Sequence, residues 1–185
     1  MFTLFRSLKI VFQQLLKGKL DNNLEPVKLS LRVMPWDCDL NLHINNGRYL
    51  SILDLARTQL YMATGVVSLL IGRDRWGSVV VSAHIVYRRS VDIFVKYDIE
   101  SRFIARTDKF IIIEHQFIVN GEIAVLCYVS VAFTDNNGIV ETERYINDIG
   151  LSSLPLDEHS EDLSSYIKTN ESFIDIMKKK GGPTI

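Results

Sequence analysis

Several protein classes are excluded by what this 185-residue chain lacks. It has two cysteines, Cys38 and Cys127. They cannot build the disulfide framework of a small secreted domain, and they show no CxxC zinc spacing. A reducing, cytoplasmic setting is the simpler expectation. Excess charge is missing too. The 21 Lys and Arg stand against 22 Asp and Glu, a formal charge of −1, which removes the general signal for nucleic-acid binding. The first 20 residues are interrupted by charge too often to span a bilayer, and they lack the small-residue cleavage site of a secretory signal. There is no Walker loop, no GxGxxG turn and no βαβ series, which argues against nucleotide-dependent transfer. The four histidines, His43, His84, His115 and His159, form no HExxH or related spacing, so neither a metal nor a cofactor is expected. Repeats and low-complexity tracts are also lacking.

What is present is the composition of one globular domain with appendages: 47% of residues are hydrophobic, enough for a core and against global disorder. Charge is unevenly placed. Residues 1–20 hold Arg6, Lys9, Lys17 and Lys19 and no acid, whereas 157–162 read D-E-H-S-E-D. Phe2, Phe5, Leu8, Phe12, Leu15 and Leu16 recur at helical spacing over residues 2–20. A basic amphipathic helix of this kind can lie on an anionic membrane surface. Docking on the body or on a partner subunit is the commoner outcome and is favoured slightly.

After a linker at 21–26, Val27 to Val33 alternates as a half-buried strand that Pro35 ends. A helix from Asn45 or Asn46 to about Ala63 carries Tyr49, Ile52, Leu53, Ala56 and Leu60 on one face, with Gly65 as its stop. Val66 to Ile71 reads as a short helix or lid, and R-D-R-W-G-S as a turn. Strands are expected at Val79–Arg88, Phe94–Ala105, Phe110–Val119 and Glu122–Thr134, with Asn120-Gly121 as a tight hairpin. A last helix is expected near Ser160–Lys179. One strand, a long helix and four strands on short turns predict an α+β domain, an antiparallel sheet packed on a single helix. The boundaries expected are 1–26 for the head helix and linker, 27–145 for the domain and 146–185 for a C-terminal extension.

Between the first strand and the long helix lies W-D-C-D-L-N-L-H-I-N-N-G-R-Y, residues 36–49. Polar groups alternate with apolar ones: Asp37, Asp39, Asn41, His43, Asn45. In an extended segment they would share one face. They would also sit beside a helix N-terminus, where free N–H groups can polarise a carbonyl. Such a row suits acyl transfer. Asp37 is expected to cap a turn or pair with an arginine, Asn45 and Asn46 to cap the helix, and Cys38 to point away from the acids into the core. Asp54 and Arg57, three apart on the helix, should form a structural pair.

The stretch D-C-D-L-N-L-H-I-N-N-G-R-Y-L at 37–50 resembles the D-x-N-x-H-x-N-N-x-x-Y motif of plant-type acyl-carrier-protein thioesterases. I-V-Y-R-R-S at 85–90 is similar to the strand that follows the helix in those enzymes. The Asp position also resembles the carboxylate of 4-hydroxybenzoyl-CoA-type thioesterases. The resemblance implies the hotdog fold, in which a curved antiparallel sheet wraps a long central helix. It covers roughly residues 27–145. The layout with a hydrophobic N-terminal helix looks like the "thioesterase superfamily member" proteins.

Carried over, the resemblance implies that Asp39, Asn41 and His43 form the catalytic trio, acting on an acyl-CoA or acyl-carrier-protein thioester in a homodimer. Asp39 would serve as general base or as a nucleophile forming a mixed anhydride, His43 would share the proton, and Asn41 would orient the water. Backbone N–H groups at Asn46 and Gly47 are the candidate oxyanion site. Arg88, Arg89 and Lys96 are candidates for coenzyme A phosphates, or equally a solvated strand end. The chain departs from the plant-type pattern on the strand before Y-R-R, where V-V-V-S-A-H offers no acid and no cysteine. Ser82 and His84 are the polar groups available there. Three rivals stand beside hydrolysis: a non-catalytic acyl- or lipid-binding protein, which the missing acid supports; a hydratase or dehydratase, chemistry that the resemblance to hotdog domains also implies; and a membrane-surface scaffold anchored by the head helix, which could coexist with catalysis.

Overall fold

The computed structural model describes residues 2–20, 23–71, 76–155 and 161–180. The head forms helix α1 (Phe2–Lys17), followed by strand β1 (Val27–Arg32) and helix α2 (Asn46–Thr64). A five-residue helix α3 (Val67–Ile71) comes next, then β2 (Gly77–Tyr87), β3 (Lys96–Arg106), β4 (Ile111–Val119), β5 (Glu122–Asp135) and the short β6 (Gly138–Ile139). Helix α4 (Glu161–Lys179) closes the described chain. Of the R-D-R-W-G-S stretch expected as a turn, residues 73–75 lie outside the described residues, and Gly77 and Ser78 already belong to β2.

The strands pair antiparallel in the order β1-β3-β4-β5-β2, with β6 on the end of β5. Register shifts interrupt the ladder at Val80/Ser82, Phe103/Ala105 and Phe117/Ile118. Such bulges bend and twist a sheet locally. Helix α2 packs on one face of it, burying Tyr49, Ile52, Leu53, Ala56 and Leu60 as the 3.6-residue spacing predicts. Ile99, Ile111, Ile113, Phe117, Cys127 and Val129 meet it from the sheet. This is the hotdog arrangement.

Local chemistry sets the element ends. Asn45 caps α2 by accepting from Gly47 N–H, and Gly65 ends it in the left-handed region at φ +79°. Asn120 and Gly121 turn the β4–β5 hairpin at φ +53° and +82°, the pair of positive angles that a type I′ turn demands. Strand β3 begins at Lys96, two residues later than its sequence predicts, because Val91–Val95 is occupied elsewhere. There Val33 N–H bonds to Val95, Phe94 N–H to Val33, Ile44 N–H to Val91 and Ile93 N–H to Leu42, while Phe94 adopts φ +64°. This stitching ties the crossover before β3 to the polar segment ahead of α2.

The opposite face of the sheet is covered by α4. Ile167 packs with Ala105 and Ile112 in a second, smaller cluster. Tyr166 Oη lies 3.0 Å from Ser82 Oγ and 2.8 Å from Ser130 Oγ. With helices on both faces, β4 is buried at nearly every position, alternation notwithstanding.

Candidate active site

The polar segment is a tight hairpin rather than an extended row. Cys38 and Ile44 form an antiparallel bridge, Asp39 N–H donates to the His43 carbonyl at 3.0 Å, and Leu42 N–H donates to the Asp39 carbonyl. Leu42 takes φ +60° to close the turn. Asp39 Oδ1 accepts from Asn41 N–H at 2.9 Å, an Asx turn. Short polar side chains favour such local bonds over an extended strand, which is why alternation misleads here.

The hairpin sorts the candidates by register. Asp39 and His43 stand opposite each other, both half-buried. Asn41 sits at the exposed tip of the turn. Cys38 and Ile44 take the other side and pack toward the core, as expected for Cys38. Burial and the neighbouring acids Asp37 and Asp39 push the Cys38 thiol up, so it stays protonated near neutral pH.

A third acid joins His43. Asp92, from the stitched crossover, bridges His43 along the backbone, and its Oδ1 lies 3.4 Å from His43 Nε2. That is ion-pair range but longer than a good hydrogen bond. Sequence reasoning missed Asp92, and V-D-I-F carries no signal that separates it from any strand-edge acid. Ser82 and His84 do not replace the missing downstream acid. Strand parity turns both onto the face under α4, where Ser82 contacts Tyr166 and His84 lines a cavity of about 460 Å³.

Beneath the hairpin, Asp37 is fully buried. Its Oδ2 accepts from Arg6 at 2.7 Å and from Met34 N–H at 3.1 Å, and its Oδ1 accepts from Arg48 at 3.1 Å. Its carbonyl accepts Asn45 N–H at 2.9 Å. This is the arginine-paired structural acid that its sequence position suggests. It joins α1, the hairpin and the first turn of α2. The Asp54–Arg57 pair is present at 2.6 Å.

The two expected oxyanion donors differ. Gly47 N–H is taken by Asn45 Oδ1 at 2.9 Å. Asn46 N–H has no acceptor among the described residues, because the first helical residue has no intrahelical partner. Tyr87, on β2, donates to the Asn46 carbonyl at 3.2 Å and meets the Tyr49 ring edge-on at 5.2 Å. Burial pushes the Tyr49 hydroxyl up to about 12, so it remains neutral.

The three basic candidates do not converge. Arg89 donates to Glu122 at 3.0 Å and to the Val119 carbonyl at 3.2 Å. Arg88 is exposed, with no ion pair among the described residues. Lys96 lies three strands away along the order β3-β4-β5-β2, roughly 14 Å at ordinary strand spacing. It lines, with Arg6 and Arg32, a cavity of about 790 Å³ beneath α1. Arg88 and Arg89 directly follow Tyr87, which bonds the Asn46 carbonyl at the helix start.

Among the described residues no cluster of His, Cys, Asp and Glu fits a metal ion. His115, read as a strand-face residue, is fully buried on the α2 side, with Nδ1 at 2.7 Å from Ser101 Oγ. Burial first, then Arg57, lowers it to about 3, so it is neutral under ordinary conditions.

Known proteins bear on this geometry. Protein THEM6 of Drosophila melanogaster is 46% identical over 77 residues, which covers 41% of this chain and 39% of that protein. The chain thus matches well under half the length of this curated relative. The structure of a DHNA-CoA thioesterase from Staphylococcus aureus is similar with a TM-score of 0.53 at 12% identity, covering 85% of this chain and 96% of that one. A second Staphylococcus aureus protein, SAV2348 in complex with CoA, has a TM-score of 0.62 at 11% identity, covering 75% and 92%. At such identities these structures support the fold alone. A family model matches residues 33–158, from the end of β1 past β6, and on that match the chain belongs to the thioesterase-like superfamily.

Proposed function

We propose that this protein hydrolyses an acyl-CoA thioester to free acid and thiol, with Asp39 and His43 as the catalytic residues. The observation that carries the reading is the register pairing of Asp39 with His43 directly ahead of the α2 N-terminus. Asp39 keeps one carboxylate oxygen outside the Asx turn, and that oxygen takes a proton from water as the water oxygen attacks the thioester carbonyl carbon. The carbonyl oxygen gains negative charge and takes the open Asn46 N–H at the positive end of α2. The carbon–sulfur bond then breaks, and the proton taken by Asp39 passes by way of His43 to the leaving thiolate, which departs as free thiol. Asn41 positions water at the tip of the turn.

Coenzyme A is favoured as carrier because, of the similar structures, one is a DHNA-CoA thioesterase and another is a complex with CoA. Arg88, free of an ion pair among the described residues, is the residue best placed for a phosphate, with Arg89 beside it. A homodimer fits the edge strand β2. It is 11 residues long, pairs among the described residues with β5 on one side only, and exposes Val79, Val80, Val86 and Tyr87. An edge so apolar and unprotected invites pairing with a second copy.

The test is thiol release from short, long and aromatic acyl-CoAs by the wild type and by Asp39→Ala and His43→Ala. Turnover lost in both variants supports the reading, and turnover unchanged in Asp39→Ala overturns it. A non-catalytic acyl-binding role is the second reading. It draws on Gly47 N–H being consumed by Asn45 and on the downstream polar groups lying on the wrong face of the sheet. Tight acyl-CoA binding without thiol release would select it.

A further inference from the structure

Helix α1 is mounted with its apolar face outward. Toward the body it presents Arg6, Ile10 and Gln14: Ile10 and Gln14 are buried, and Arg6 reaches Asp37. Gln14 and Gln59 of α2 meet at 3.4 Å. On the other side Leu8, Phe12, Leu15 and Leu16 are 58%, 64%, 68% and 74% exposed. Their spacing of four, three and one places them on a single face. A helix on the surface of a globular body ordinarily turns such a stripe inward, because each large apolar side chain gains free energy on leaving water. Here the docked side is the one that carries Arg6, Ile10 and Gln14.

Charge identifies what covers the stripe. Residues 1–20 contain Arg6, Lys9, Lys17 and Lys19 and no acid. Arg6 is neutralised by Asp37. The remaining lysines belong to the same short helix and its exit. A two-fold contact between the α1 helices of two copies would set these like charges against one another. An anionic lipid surface satisfies both features: the apolar side chains enter the acyl boundary, and headgroup charge attracts the net positive charge of residues 1–20. Among the described residues no helix is long and apolar enough to cross a membrane, so the helix would lie in the surface plane. We propose that α1 docks this protein on anionic lipid surfaces through Leu8, Phe12, Leu15 and Leu16. Because the Arg6–Asp37 pair ties α1 to the hairpin, docking also sets the orientation of the body on that surface.

The experiment is flotation of the full chain with phosphatidylcholine vesicles, with and without phosphatidylserine. Wild type floats with the anionic vesicles, binding weakens as salt rises, and Phe12→Glu with Leu16→Glu lowers partitioning at least about tenfold. Both positions are exposed, so thermal unfolding of that variant should match wild type. Phe12→Trp keeps the stripe apolar and supplies a second measurement: relative to wild type its added emission shifts to the blue and is quenched by brominated lipid. Wild type that stays with the lipid-free fraction, or added indole emission in Phe12→Trp that no vesicle changes, overturns the proposal. So does a lipid-free oligomer that the double substitution dissociates, since a second copy would then be the occupant.

Discussion

Arg6, on the head helix, holds Asp37, the first acid of the motif, with Nη2 and Oδ2 at 2.7 Å and the carboxylate fully buried. Arg48 from the first turn of α2 takes the other oxygen at 3.1 Å. The acid therefore acts as a clamp between three segments. Replacing it strands two guanidinium groups that are mostly out of water. Asp37→Ala should cost about 3 kcal/mol, the low end for breaking a buried pair, because both arginines keep some solvent contact. Urea unfolding measures it. A change under about 1 kcal/mol would show that the clamp is dispensable.

Asp39→Ala should lower kcat for thiol release by at least about 100-fold, the ordinary contribution of a positioned acid or base. Asp92 should matter less. Its contact with His43 is 3.4 Å and both side chains are substantially exposed, so it orients the ring weakly. Asp92→Asn should lower kcat by about threefold to tenfold with KM nearly unchanged, as for a group whose effect is on chemistry and not on binding. An equal loss in both variants would make Asp92 a full partner in proton transfer.

His115 makes stability pH-dependent. Its folded value, about 3, lies below the ordinary value of 6.5, so the unfolded chain binds the proton more readily. The stability this neutral histidine contributes is present above about pH 6.5 and is lost as pH falls from there toward 3, at up to about 1.4 kcal/mol per pH unit. His115→Gln removes that slope. Comparing unfolding free energies of the two proteins between pH 6.5 and 4 isolates the contribution, and parallel curves would contradict it.

If β2 pairs with a second copy, a charge on that edge should prevent it. Val80 is exposed and sits at the bulge. Val80→Lys should convert a dimer into a monomer by light scattering while leaving the melting temperature of the monomer nearly unchanged. A wild type that is already monomeric removes the proposal.

The legible parts of this fold were those with local causes. The α2 core face, the Gly65 stop, the Asn45 cap and the Asn120-Gly121 hairpin all follow from side-chain spacing or from one residue's preferred backbone angles. The α+β class followed from their order, and the motif at 37–50 was enough to point to the family. The hairpin was less legible. Alternation of polar and apolar residues over 37–45 fits an extended strand equally well, and the turn forms because Asp39 bonds the Asn41 N–H and Leu42 accepts a positive φ.

By itself, then, the amino-acid sequence determined the main helices and strands, the ends of α2 and the superfamily, since these depend on contacts between near neighbours and on a motif short enough to read. Tertiary structure alone decided three things. It put Asp92 beside His43 and sent Ser82 and His84 to the α4 face. It turned Leu8, Phe12, Leu15 and Leu16 of α1 outward. Each depends on which way a strand or helix is rotated against a partner distant in the chain. Spacing shows that a helix has two faces, but only packing chooses which one meets water.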